Sequence, residues 1–150
     1  MKIGDVFRWD DYPKQKDGML KARWFIYLGL SSILSNPQNV FLLPATGEIL
    51  LYNNGCRRQN HKNIMRFSSG DCGFEMDTIV DLNFFENNWE LNEFNNYTNN
   101  MTIRGSVSNN QLKSIYNLIF ESDYYIQKII ITDLRKNLNS IGIFNLKIPK

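Results

Sequence analysis

Through the first ninety positions the chain alternates short apolar runs with turn-forming residues, and after about residue 105 its apolar residues fall three and four apart. The first pattern predicts strands at residues 6–9, 24–28, 40–43, 48–52, 63–67 and 78–80. The 24–28 run is apolar at nearly every position, as expected of a strand buried on both faces. Residues 10–20 carry Pro13, Gly18 and several charges and predict a polar loop, while Ser35-Asn36-Pro37-Gln38-Asn39 is a turn cluster. Short strands with tight connections and no room for βαβ crossovers point to a small antiparallel barrel.

Residues 90–102, rich in Asn and Thr, predict a connecting loop that can hold one helical turn. Beyond it, Ser108 is placed to cap a helix whose Leu112, Ile115, Tyr116, Ile119 and Phe120 share one face. A second helix is expected to start at Ser122 or Asp123, with Ile126, Ile129, Ile130, Asp133 and Leu134 repeating that spacing. Arg135 and Lys136 lie near its C-terminal dipole, and Gly142 lies past its end. Residues 141–146 read equally as a terminal strand. The expected class is therefore mainly β with C-terminal helices (α+β). A single domain over 1–150 would comprise a barrel over about 1–90 and a helical part over about 106–142.

Composition narrows the function classes. At 150 residues and 43% hydrophobic content the chain can bury a real core, and no run approaches the roughly 20 apolar residues that span a membrane. Asp5, Asp10 and Asp11 interrupt the stretch where a secretory signal would be apolar, so a cytoplasmic location is expected. A net charge of +2 permits nucleic-acid binding without arguing for it. The twenty Asn are scattered among apolar positions, which fits codon bias rather than a low-complexity tract. Cys56, Cys72 and His61 have no metal-ligand spacing, so no metal or cofactor is expected and the thiols read as reduced.

Four short segments occur in a telling order: Gly4-Asp5-Val6, then Lys21-Ala22-Arg23 before an apolar run, then Pro44-Ala45-Thr46-Gly47, then Gly73-Phe74-Glu75-Met76-Asp77-Thr78-Ile79. Together they span about the first 85 residues and resemble the MazF/PemK family of toxin ribonucleases. Arg23 and Thr46 occupy the matching positions, and Trp24 stands where the family usually has proline. The resemblance implies an SH3-like/PemK-like barrel that cleaves single-stranded RNA without a metal. It also implies a homodimer restrained by an antitoxin protein, with no small-molecule cofactor and no membrane.

The implied chemistry suits those two residues. RNA is cut when its 2′-OH attacks the adjacent phosphorus, so a protein must stabilise added negative charge and manage protons. The Arg23 guanidinium offers a planar fork of donors matched to two phosphate oxygens, and the Thr46 hydroxyl adds a donor to the same phosphate or orients the attacking group. The plainer reading of Arg23 is a surface cation paired with Asp10, Asp11 or Asp17.

Arg57, Arg58, Lys62 and Arg66 concentrate positive charge on one hairpin and can hold an RNA backbone, although charged loops commonly serve solubility. His61 is a candidate general acid or base and RNA contact, or simply a solvated loop residue. Trp24, with Trp9 and Tyr27, can stack unpaired bases or fill the core. Glu75 and Asp77 read as structural. The alternative from another class is a non-catalytic SH3-like barrel that binds RNA or a protein partner through the same groove. No phosphate-cradling Gly loop supports a small-molecule enzyme.

Overall fold

A computed structural model describes residues 1–15, 17–122 and 126–150. Seven strands form one antiparallel sheet that curls into a half-barrel: β1 (Asp5–Trp9), β2 (Arg23–Leu30), β3 (Asn39–Thr46), β4 (Ile64–Phe67), β5 (Thr78–Asp81), β6 (Glu86–Glu90) and β7 (Met101–Ser106). Strand order is β4-β5-β3-β2-β1-β7, and β6 follows β5 along the same edge of β3. A short helix, α1 (Leu91–Asn95), comes after β6. Two longer ones, α2 (Asn109–Glu121) and α3 (Lys128–Ser140), end the fold. No helix of the described residues is long and apolar enough to cross a membrane.

Pleating sends successive side chains to opposite faces, and the burial pattern follows it. On one face Val6, Ile26, Leu28, Phe41, Leu43 and Val80 pack beneath Leu112, Ile115, Tyr116 and Ile119 of α2 and Leu134 and Leu138 of α3. On the other, Phe7, Trp9, Phe25, Val40 and Leu42 meet Tyr12, Trp89 and Phe94 in an aromatic cluster. The central strand β2 is thus covered on both sides, as its sequence predicts.

Helix α2 begins with a capping box. The Ser108 hydroxyl accepts from the Gln111 amide, and the Gln111 side chain accepts from the Ser108 amide. Helix α3 ends at Ser140, and two residues on Gly142, with a φ of +89°, turns the chain so that its amide and that of Ile143 donate to the carbonyls of Asn139 and Leu138.

Four expectations change. Residues 48–52 do not form a strand; Ile49–Tyr52 is a 3-10 turn, which brings the buried Tyr52 back toward β5. The sheet does not end near residue 90: besides the helical turn expected there, which is α1, residues 90–102 hold the end of β6 and the start of β7. The second helix starts at Lys128 rather than near Ser122, and Asp123 lies outside the described residues. Residues 141–146 form no strand; Ile143 and Leu146 pack into the helical side of the core.

The Gly73 motif has a scaffold role. A Cβ at Gly73 would lie 2.2 Å from the Arg104 carbonyl oxygen, and one at Gly105 would lie 2.3 Å from that of Cys72. The turn between β4 and β5 therefore presses backbone on backbone against β7 and closes the curl. Glu75 pairs with Arg104, and Asp77 accepts from the Ser69 amide at 2.9 Å, so both carboxylates hold this turn.

Candidate functional site

The register of the sheet brings the two motif residues together. Trp24 pairs with Ala45, so the next step sets Arg23, the first residue of β2, beside Thr46, the last of β3. Thr46 pairs with Ile79, and Ile79 pairs with Arg66. Cross-strand partners share a face. Arg23, Thr46 and Arg66 therefore stand in one row on the face opposite the helices. The Thr46 hydroxyl accepts from the Glu48 amide at 3.1 Å, which leaves its own hydrogen for a ligand.

Trp24 belongs to the other face. It is half-buried against Phe74, with ring centroids 5.9 Å apart, and the Arg104 guanidinium lies over it. The departure from proline thus leaves Arg23 on its own side of the strand. Trp9 is fully buried, and Tyr27 stacks on Phe94.

Arg23 does not pair with the aspartates of the 10–20 loop. Asp10 pairs with Arg8 and Asp17 with Lys21. Instead the guanidinium lies 5.3 Å from the centre of the Tyr12 ring, close enough to Glu86 for its charge to act on that carboxyl. The Tyr12 hydroxyl donates to Glu86 at 2.8 Å and accepts from the Trp89 indole at 3.3 Å. Burial pushes the Glu86 carboxyl above its ordinary value, an effect partly offset by the Tyr12 hydrogen bond and the Arg23 charge. Burial likewise pushes the Tyr12 phenol up, reinforced by the Glu86 charge.

A second constellation occupies the next row of the same face. Asp81 ends β5 two residues after Ile79 and is buried. Its Oδ2 accepts from Tyr52 at 2.7 Å and faces His61 Nδ1 at 2.7 Å, while Oδ1 accepts from the backbone and side chain of Asn83. Three donors, the Tyr52 hydroxyl and the two Asn83 groups, thus share the two oxygens with His61 Nδ1. Arg58 donates to the Tyr52 hydroxyl at 3.1 Å and lies 4.7 Å from the centre of the Phe84 ring. His61 packs on the same two rings, 5.9 Å from Tyr52 and 5.8 Å from Phe84. Burial, with the hydrogen bond to Asp81 next, pushes the Tyr52 phenol up to about 12.

The structure thus joins Arg23 with Thr46 and Arg66, and His61 with Arg58. Arg57 and Lys62 lie exposed on the loop between the 3-10 turn and β4. Sequence reasoning missed Tyr12, Tyr52, Asp81 and Glu86. One signal was available: Asp81 closes the Thr78-Ile79-Val80 run on the same parity as Ile79, an unusual place for a carboxylate unless it has partners. Among the described residues no three His, Cys, Asp or Glu side chains converge as metal ligands.

No protein-family model, curated protein or solved structure matches the chain.

Proposed function

We propose that the chain is a metal-independent endoribonuclease of the MazF/PemK type, selective for sequences in single-stranded RNA and acting as the toxin of a toxin-antitoxin system. The observation that carries this reading is the row formed by Arg23 and Thr46 at the adjoining ends of the two central strands, with Arg66 farther along it. A phosphate set against Arg23 meets a fixed guanidinium fork, and the Thr46 hydroxyl reaches the same group from the neighbouring strand. Arg57, Arg58, Lys62 and Arg66 supply positive charge for the rest of the backbone. On this reading the chain works in the cytoplasm as a homodimer, and an antitoxin segment covers the same face to restrain it.

One observation favours a second reading, a barrel that binds RNA or a protein partner without cutting. Arg23 lies against Tyr12 and near Glu86, a setting that can hold a ligand as well as a transition state. Incubation of purified protein with single-stranded RNA in excess chelator separates the two. The nuclease reading expects cleavage that is lost in Arg23→Ala and strongly reduced in Thr46→Ala, with RNA binding retained in Thr46→Ala. RNA bound but intact with wild-type protein selects the binding module.

A further inference from the structure

We propose that His61 is the proton-transfer residue of this face, with Asp81 as its positioning residue and Arg58 as the adjoining phosphate anchor; the assignment rests on the nuclease reading above. A carboxylate offers only acceptors, so hydrogen bonding of Nδ1 to the Asp81 carboxylate puts the hydrogen of the neutral ring on Nδ1 and leaves the lone pair on Nε2. The ring's two nitrogens lie on different sides, so anchoring Nδ1 to buried Asp81 turns Nε2 away from it. The His61 side chain keeps 24% of its surface exposed, whereas that of Asp81 keeps 3%. A ligand can therefore reach the imidazole and not the carboxylate.

The surroundings are built rather than incidental. Tyr52 and Phe84 hold both the imidazole and the Arg58 guanidinium, and the Tyr52 hydroxyl links Arg58 to Asp81. A cation and a proton acceptor are thereby fixed side by side, which is the pairing that a phosphodiester bearing a neighbouring hydroxyl requires. Asp81 lies on the same face as Thr46, one row along from it. The substrate class is RNA, because only a ribose offers the 2′-OH.

In the reaction, Nε2 takes the 2′-OH proton as the 2′ oxygen forms its bond to phosphorus. The bond from phosphorus to the 5′ oxygen breaks with its electron pair, and that oxygen takes a proton from water. The products are a 2′,3′-cyclic phosphate and a 5′-hydroxyl. The hydroxide left by that water is neutralised when the imidazolium returns its proton to solvent.

The test is single-turnover cleavage of single-stranded RNA in chelator by wild type, His61→Gln, His61→Ala and Arg23→Ala, with thermal melts to report folding. His61→Gln keeps an N–H for Asp81 but cannot carry the proton. It is expected to slow cleavage by about 10²–10⁴-fold with RNA binding within threefold of wild type. Added imidazole is expected to restore at least tenfold of the His61→Ala loss. Cleavage by either His61 variant within threefold of wild type, while Arg23→Ala is inactive, overturns the role of His61 and leaves the nuclease reading standing. A folded His61→Ala that imidazole does not rescue overturns it as well. Absence of cleavage by wild type overturns both.

Discussion

His61 Nδ1 lies 2.7 Å from Oδ2 of Asp81, a carboxylate that the Tyr52 hydroxyl and Asn83 also engage. Removing the carboxylate leaves these donors facing a buried gap. Asp81→Ala is expected to cost about 2–3 kcal/mol of stability. Asp81→Asn, which keeps one acceptor oxygen, should cost less. Urea unfolding of the two variants measures the difference, and equal losses would mean that the hydrogen bonds do not hold this corner together.

The backbone contact between Gly73 and Gly105 makes a sharper demand. Gly73 has a φ of +88°, and any Cβ there meets the Arg104 carbonyl. Gly73→Ala and Gly105→Ala are each expected to lose more than about 2 kcal/mol. Gly55→Ala, also at positive φ but facing open space, should lose only about 1–2 kcal/mol from the left-handed backbone. Denaturant midpoints of the three variants check the order.

The capping box of α2 gives a smaller effect. Ser108→Ala removes the acceptor for the Gln111 amide and should cost about 1 kcal/mol, which lowers Tm by about 2–4 °C in a chain of this size. A calorimetric melt with no change in Tm would show that the helix is held by its packing alone.

Much of this architecture was legible in the chain. The apolar runs at β1 to β5 and the three-and-four spacing of α2 follow from which side chains must be buried, and single sequences record that directly. Strand β7 was not legible because Met101–Ser106 sits on the edge of the sheet, half exposed, with no alternation of burial to betray it. Only Trp89 of β6 is buried, so the same reason applies there. Ile49-Leu50-Leu51-Tyr52 has the composition of a strand but turns tightly, because Tyr52 reaches Asp81, 29 positions away. Arg23 and Thr46 could be found from local motifs. The groups around His61 are brought together by a loop that returns to the sheet, and no local pattern encodes that return.

Glu86 predicts a pH dependence of stability. Its carboxyl is held above the ordinary value by burial, so the folded chain binds this proton more tightly than the unfolded one. Its stabilising contribution is then complete below the unfolded pKa of about 4.3 and is lost as pH rises through the higher folded value. Glu86→Gln, permanently neutral and still able to accept from Tyr12, should be more stable than wild type at pH 7. The gain should shrink as pH falls through the carboxylate range. Melts at pH 7 and pH 4 test the sign, and a Glu86→Gln variant destabilised at pH 7 would contradict it.

The proposed nuclease uses the 2′-OH of RNA to cut the strand, with Arg23 and Thr46 on the phosphate. The most direct measurement is the fate of one single-stranded oligonucleotide, prepared as RNA and as the same sequence with every 2′-OH removed, incubated with purified protein in excess chelator. The RNA is expected to be cut to fragments ending in a 2′,3′-cyclic phosphate and a 5′-hydroxyl, and the deoxy strand to bind but stay whole. Cleavage of both strands, or of neither, would contradict it.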